Sequence, residues 1–125
     1  MENAILLDSN ILIAAFRKNE KAISFLSTKN YKFVISDITI MELFADCKTV
    51  QKRKEVEKIL DFYARAPLTE NISQKAIALI KRYAVLTNTI HLPDLLIAAT
   101  ALHYNLPLKT LNTKDFDFIR EITLL

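Results

Sequence analysis

Four acidic residues stand where a carboxylate is out of place. Asp8 interrupts an otherwise apolar run over residues 5–13, and Glu42 is the one charged residue within the apolar stretch 38–45. Asp94 opens a segment that is apolar nearly all round, and Asp115 follows a short β-favouring stretch. They are 34, 52 and 21 positions apart, so only tertiary structure can bring them together. Carboxylates held close repel one another, which raises some of their pKa values unless a cation neutralises them. Hard oxygen donors without His or Cys select Mg²⁺ or Mn²⁺, and Mg²⁺ keeps several waters and shares its shell with substrate phosphate. The chemistry such a group could do around a divalent ion is phosphodiester hydrolysis, with Asp8 read as the central ligand. Each acid also has a plainer explanation: Asp8 and Asp94 as helix-start residues, Glu42 as a solvated glutamate, Asp115 as a loop residue beside Asn112.

The elements that must position these acids can be read from periodicity. Residues 4–7 are short, branched and apolar without polar alternation, as in a strand buried on both faces of a parallel sheet. Ser9 or Asn10 is expected to cap the helix that follows, with Ile11, Leu12, Ala15 and Phe16 on its inner stripe. Asn19 caps a second helix, Phe33, Val34 and Ile35 form a second strand, and Ser36 and Asp37 start the next helix. Thr49 is expected to cap a long helix running to about Ala66, where Pro67 ends it, and Ser73 to cap another carrying Ala76, Ile77, Ile80 and Tyr83. Pro93 suits the start of a buried helix whose first turn holds Asp94. A third main strand is expected over residues 107–111, then a loop over 112–116, with a short edge strand over 122–125. This order implies a mostly parallel sheet with helices on both faces, and it places the acids at its carboxyl edge, where open α/β sheets bind ligands.

At 125 residues and 51% hydrophobic, the chain is expected to form a single domain over residues 1–125. No run reaches the ~20 apolar residues of a membrane span, and the opening Met1-Glu2-Asn3 lacks a secretory pattern, so a soluble cytoplasmic protein is expected. Cys47 is the only cysteine and can form neither an internal disulfide nor a thiolate zinc site. A net charge of +3 is compatible with a polyanionic partner but decides little. The absence of glycine decides more: it excludes the Gly-rich phosphate loop and the Gly-patterned dinucleotide turn, so metal ions or cationic side chains must handle any phosphate.

Four segments together carry a specific resemblance: Asp8-Ser9-Asn10 after an apolar strand, Ser36-Asp37-Ile38-Thr39-Ile40-Met41-Glu42-Leu43, Leu92-Pro93-Asp94-Leu95-Leu96-Ile97-Ala98-Ala99-Thr100-Ala101, and Thr110-Leu111-Asn112-Thr113-Lys114-Asp115-Phe116. In order and spacing the chain resembles PIN-domain nucleases, and in size and spacers most resembles the VapC toxins of type II toxin–antitoxin pairs. The resemblance implies a three-layer α/β/α fold around four to five strands. It further implies a Mg²⁺- or Mn²⁺-dependent endoribonuclease leaving a 5′-phosphate and a 3′-hydroxyl, with one or two ions held by Asp8, Glu42, Asp94 and Asp115. Ser9 or Asn10, and Asn112, would support the acids by hydrogen bonds, Asn112 being able to take over part of the role of Asp115. A small antitoxin partner and a homodimer are also family expectations.

A phosphoaspartate hydrolase would need a second Asp two places after the first, where this chain has Asn10; a receiver domain would need adjacent acids, where it has Ser9. The alternative from a different class is a non-catalytic module of the same fold that binds RNA or protein. Candidate RNA contacts are Lys48, Lys52, Lys54, Lys81 and Arg82, although the mixed charges over residues 52–58 also suit a solvated helix face. Asp37, Asp46 and Asp117 are expected to be caps or solvated charges, and His91 and His103 to be structural.

Overall fold

The computed structural model describes residues 3–125. Its elements are β1 (Ala4–Leu7), α1 (Ser9–Phe16), α2 (Glu20–Leu26), β2 (Lys32–Ser36), α3 (Asp37–Ala45), α4 (Val50–Leu60), β3 (Ala64–Ala66), α5 (Glu70–Tyr83), α6 (Leu92–His103) and β4 (Leu108–Lys109), followed by a 3₁₀ turn (Thr113–Asp115). The four strands are all parallel, in the order β3-β2-β1-β4, with Leu6 opposite both Val34 and Leu108. No helix of the described residues is long and apolar enough to cross a membrane.

Every residue of β1 is buried because both faces of the sheet are covered. Successive side chains point to opposite faces. Ala4 and Leu6 therefore meet Val34, Leu108, Ile72, Ala76 and Leu79 of α5 and the buried side of α6, while Ile5 and Leu7 meet Ile35, Ile11 and Leu12 of α1, Leu43 of α3 and Val56 of α4. Asp8 is the next residue, so the most buried strand delivers it directly to the sheet's carboxyl edge.

Several elements differ from the sequence reading. Asp8 itself caps α1, with its side chain accepting from the Ser9 N–H; neither Ser9 nor Asn10 has that role. Helix α4 stops at Leu60, and residues 64–66, which continue the helical spacing in sequence, instead pair with β2 as the edge strand β3. Thr69, rather than Ser73, caps α5 by accepting from the Ile72 N–H. The strand expected over 107–111 is confined to Leu108–Lys109, because Thr110 turns its side chain to Asp8; the expected edge strand at 122–125 is reduced to one parallel bridge between Leu124 and Leu108.

Without glycine, left-handed backbone positions fall to other residues. Lys18 (φ 67°) and Asn105 (φ 55°) end α1 and α6. The Asn19 N–H reaches the Ala14 carbonyl and the Lys18 N–H that of Ala15, the double bond pattern that closes a helix at a left-handed residue, and Asn105 and Leu106 repeat it on Leu102 and Ala101. Asparagine tolerates this conformation; lysine pays a steric cost through its Cβ. Lys18→Gly should therefore raise stability by about 0.5–1 kcal/mol after allowing for the freer unfolded chain, a gain of about 2–4 °C in thermal midpoint. An unchanged or lower midpoint would contradict this account of the α1 terminus.

Candidate active site

The site is assembled from the end of β1 outward. The Asp8 N–H donates to the Lys109 carbonyl at 2.9 Å, fastening the end of β1 to that of β4. Asp8 is only 6% exposed. Its Oδ1 accepts from the Ser9 N–H at 2.8 Å, and its Oδ2 accepts from the Thr110 hydroxyl at 2.8 Å. The helix-cap reading and the site reading of Asp8 are thus compatible, since one carboxylate has two oxygens.

Glu42 reaches the same place from α3. Ser36 caps that helix by accepting from the Thr39 N–H, and the buried Thr39 hydroxyl lies 3.5 Å from the Leu7 carbonyl, tying the first turn of α3 to the end of β1. Glu42 lies in the second turn, and its Oε1 accepts from the Ser9 hydroxyl at 3.0 Å, the same hydroxyl being 3.5 Å from Asp8 Oδ1. Asp115 enters from the 3₁₀ turn, where its Oδ2 accepts from the Asn112 side-chain amide at 2.7 Å. The Asn112 N–H and the Asn10 side-chain amide both donate to Thr110 Oγ1 at 3.1 Å, while Asn10 Oδ1 accepts from the Leu111 N–H at 3.2 Å. Asp94 is half-buried in the first turn of α6.

Electrostatic coupling joins all four acids. Burial, reinforced by the charge of Asp115, holds the Asp8 carboxyl above the ordinary carboxylate range, against hydrogen bonds from Thr110 and Ser9 that favour its ionised form. Burial also raises Glu42, with the charge of Asp8 adding to it and the Ser9 hydroxyl opposing. Asp94 is pushed up to about 6, by burial first, then by Asp8 and Asp115, with a smaller push from Glu42; His91 opposes the rise. None of the ion pairs among the described residues involves these acids: Lys52–Glu55, Arg53–Glu57, Arg65–Asp37 and Arg82–Glu121 lie elsewhere.

The donor set is all oxygen. Among the described residues no three His, Cys, Asp or Glu side chains form a ready-made cage for one ion. An ion such as Mg²⁺ would not require such a cage, since it retains waters and takes one or two carboxylates plus substrate oxygens. The uncompensated repulsion among the acids is the feature a divalent cation would relieve.

The other residues singled out in the sequence are placed as follows. Ser9, Asn10 and Asn112 all hydrogen-bond within the site. Lys48 donates to the Ala45 carbonyl at the end of α3, Lys52 faces Glu55 at 4.0 Å, and Lys54 and Lys81 are exposed. Arg82 pairs with Glu121, which lies beside Pro107 at the amino end of β4, away from the acids. Asp37 binds the Arg65 guanidinium and the Leu68 N–H outside the site, and the Arg65 hydrogen bonds hold its carboxyl below the usual range. Thr110 opens the fourth segment of the resemblance, yet the sequence reading assigned it no site role, because a β-branched residue after Leu108 and Lys109 reads as strand.

Fold and site together define a class: a parallel α/β sandwich with four coupled acids at the carboxyl edge of its sheet. The chain belongs to the PIN-domain family, whose model matches residues 5–121. It is 36% identical over 120 residues to a Mycobacterium tuberculosis protein named Ribonuclease VapC10, covering 94% of this chain and 90% of that one. It is similar, at 31% identity and a TM-score of 0.80 over 95% of both chains, to a chain in a toxin–antitoxin complex from Klebsiella pneumoniae. A chain of VapBC-1 from nontypeable Haemophilus influenzae gives 26% identity and a TM-score of 0.82, covering 98% of this chain and 96% of that one.

The raised Asp94 carboxyl has a consequence for metal-free protein. A carboxyl with a folded pKa above its unfolded value favours folding at low pH, and that contribution is lost as pH rises from about 4 through about 6. Asp94→Asn should accordingly stabilise the metal-free chain by about 1 kcal/mol at pH 8, the figure being reduced for solvent screening of a part-exposed group, and by little below pH 4. Denaturant melts in chelator at both pH values check it; a pH-independent difference would contradict the coupling.

Proposed function

We propose that the chain is a Mg²⁺- or Mn²⁺-dependent endoribonuclease and the toxin of a type II toxin–antitoxin pair. The observation that carries this reading is the set of four coupled carboxylates, none of them ion-paired among the described residues. The ribonuclease name of the M. tuberculosis relative supports RNA as substrate, and the toxin–antitoxin complexes among its structural relatives support an antitoxin partner. A homodimer is part of the same proposal.

Asp8 and Asp94, with Glu42 and Asp115, would hold one or two ions, which when bound supply Lewis-acid charge to the phosphodiester and activate the attacking water. The chain's own groups hold the acids in place. Ser9 joins Glu42 to Asp8, and Asn112 holds Asp115. Asn10 spans Thr110 and the Leu111 backbone, so the loop after β4 stays against the start of α1.

Incubating wild type and Asp8→Asn with single-stranded RNA, with Mn²⁺ or with chelator, tests the activity. Wild type plus Mn²⁺ should give internal cuts with 5′-phosphate ends, whereas Asp8→Asn should lose at least about 100-fold in rate, a loss of roughly 2.7 kcal/mol of transition-state stabilisation. Cleavage that survives chelator or the substitution would reject the nuclease proposal, and RNA binding without cleavage would favour the non-catalytic module. If the α4 flank carries RNA phosphate, Lys52→Ala should reduce the salt slope of RNA affinity by about one unit, while an unchanged slope removes Lys52 from the contact surface.

A further inference from the structure

We propose that Thr110 is a positioning residue of this site: its hydroxyl fixes the orientation of the Asp8 carboxylate for a cation and couples Asp8 to the turn that carries Asp115. The inference rests on the metal-site reading above. A threonine hydroxyl has one proton to give and two lone pairs to fill. Two donors point at Thr110 Oγ1, the Asn10 side-chain amide and the Asn112 N–H, each at 3.1 Å. The Asn10 amide cannot be turned the other way round, because its oxygen accepts from the Leu111 N–H. Both donors therefore occupy lone pairs, and the single hydroxyl proton is left for Asp8 Oδ2 at 2.8 Å. The direction of that bond is set by the network.

Three consequences follow from this geometry. With Thr110 on Oδ2 and the Ser9 N–H on Oδ1, each carboxylate oxygen of Asp8 is held by a donor and retains a lone pair for a cation. Thr110 is 4% exposed, so water does not readily substitute for a missing hydroxyl. The partners are 102 positions apart, and the connection continues through Asn112 to Asp115, so one hydroxyl links the end of β1 to the fourth acid. Groups that orient metal ligands in this way typically change metal affinity by 10- to 100-fold when removed.

The test measures Mn²⁺ dissociation constants by electron paramagnetic resonance on the full chain as wild type, Thr110→Ser, Thr110→Ala and Thr110→Val, each checked for folding by circular dichroism. Thr110→Ser keeps the hydroxyl and should bind within about threefold of wild type, whereas Thr110→Ala and Thr110→Val should bind about 10- to 100-fold more weakly. The serine and alanine variants differ by one oxygen, so that pair decides the matter even if the valine variant fails to fold. Equal affinity of Thr110→Ser and Thr110→Ala, whether both strong or both weak, overturns the role of the hydroxyl. Failure of wild type to bind Mn²⁺ overturns the metal-site reading itself, and the inference falls with it.

Discussion

Asp8 follows a strand buried on both faces, and burial is the first cause of its raised pKa. A carboxylate in that position is tolerated only if its oxygens find donors, which Ser9 and Thr110 provide. The remaining acids increase the strain: Asp115 raises Asp8, Asp8 raises Glu42, and Asp8 and Asp115 both raise Asp94. Much of the surrounding structure can be understood as holding this unfavourable charge in place. Thr39 fastens α3 to the end of β1, Ser9 spans two acids, and Asn10 and Asn112 converge on Thr110. Such a site stores repulsion that a divalent cation would convert into binding free energy.

The lack of glycine shapes both structure and chemistry. A glycine-rich phosphate loop is unavailable, so any phosphate handled by this chain would fall to metal ions or cationic side chains. Helix ends that commonly use glycine rely here on Asn105 and Lys18. The two differ because asparagine accepts left-handed backbone more readily than lysine, so the end of α6 is well matched to its sequence and the end of α1 is not.

Much of this organisation was legible in the residues themselves. The unbroken apolar run of β1 announced a strand covered on both sides, and the nearly all-apolar α6 announced a buried helix with Asp94 at its mouth. The acids stood out because each interrupted such a pattern. What was hidden depended on partners far away in the chain. Tyr63 continues the helical spacing of α4, yet strand pairing with β2 turns residues 64–66 into β3. Thr69 and Ser73 are both competent caps, and only the bond to the Ile72 N–H chooses between them. Thr110 looked like strand because its distinguishing feature is a hydrogen bond to Asp8. The pairing of Arg82 with Glu121, 39 positions away, was equally hidden.

The central claim is that these four acids form one cation-binding unit, and the location of a bound ion tests it most directly. Anomalous X-ray scattering from crystals of the chain soaked in Mn²⁺ should show density between the Asp8 and Asp94 carboxylates, with ligand oxygens at about 2.0–2.2 Å, close to the distances of a small hard divalent ion. Density only at exposed acids such as Glu55 and Glu57, with none beside Asp8, would contradict it.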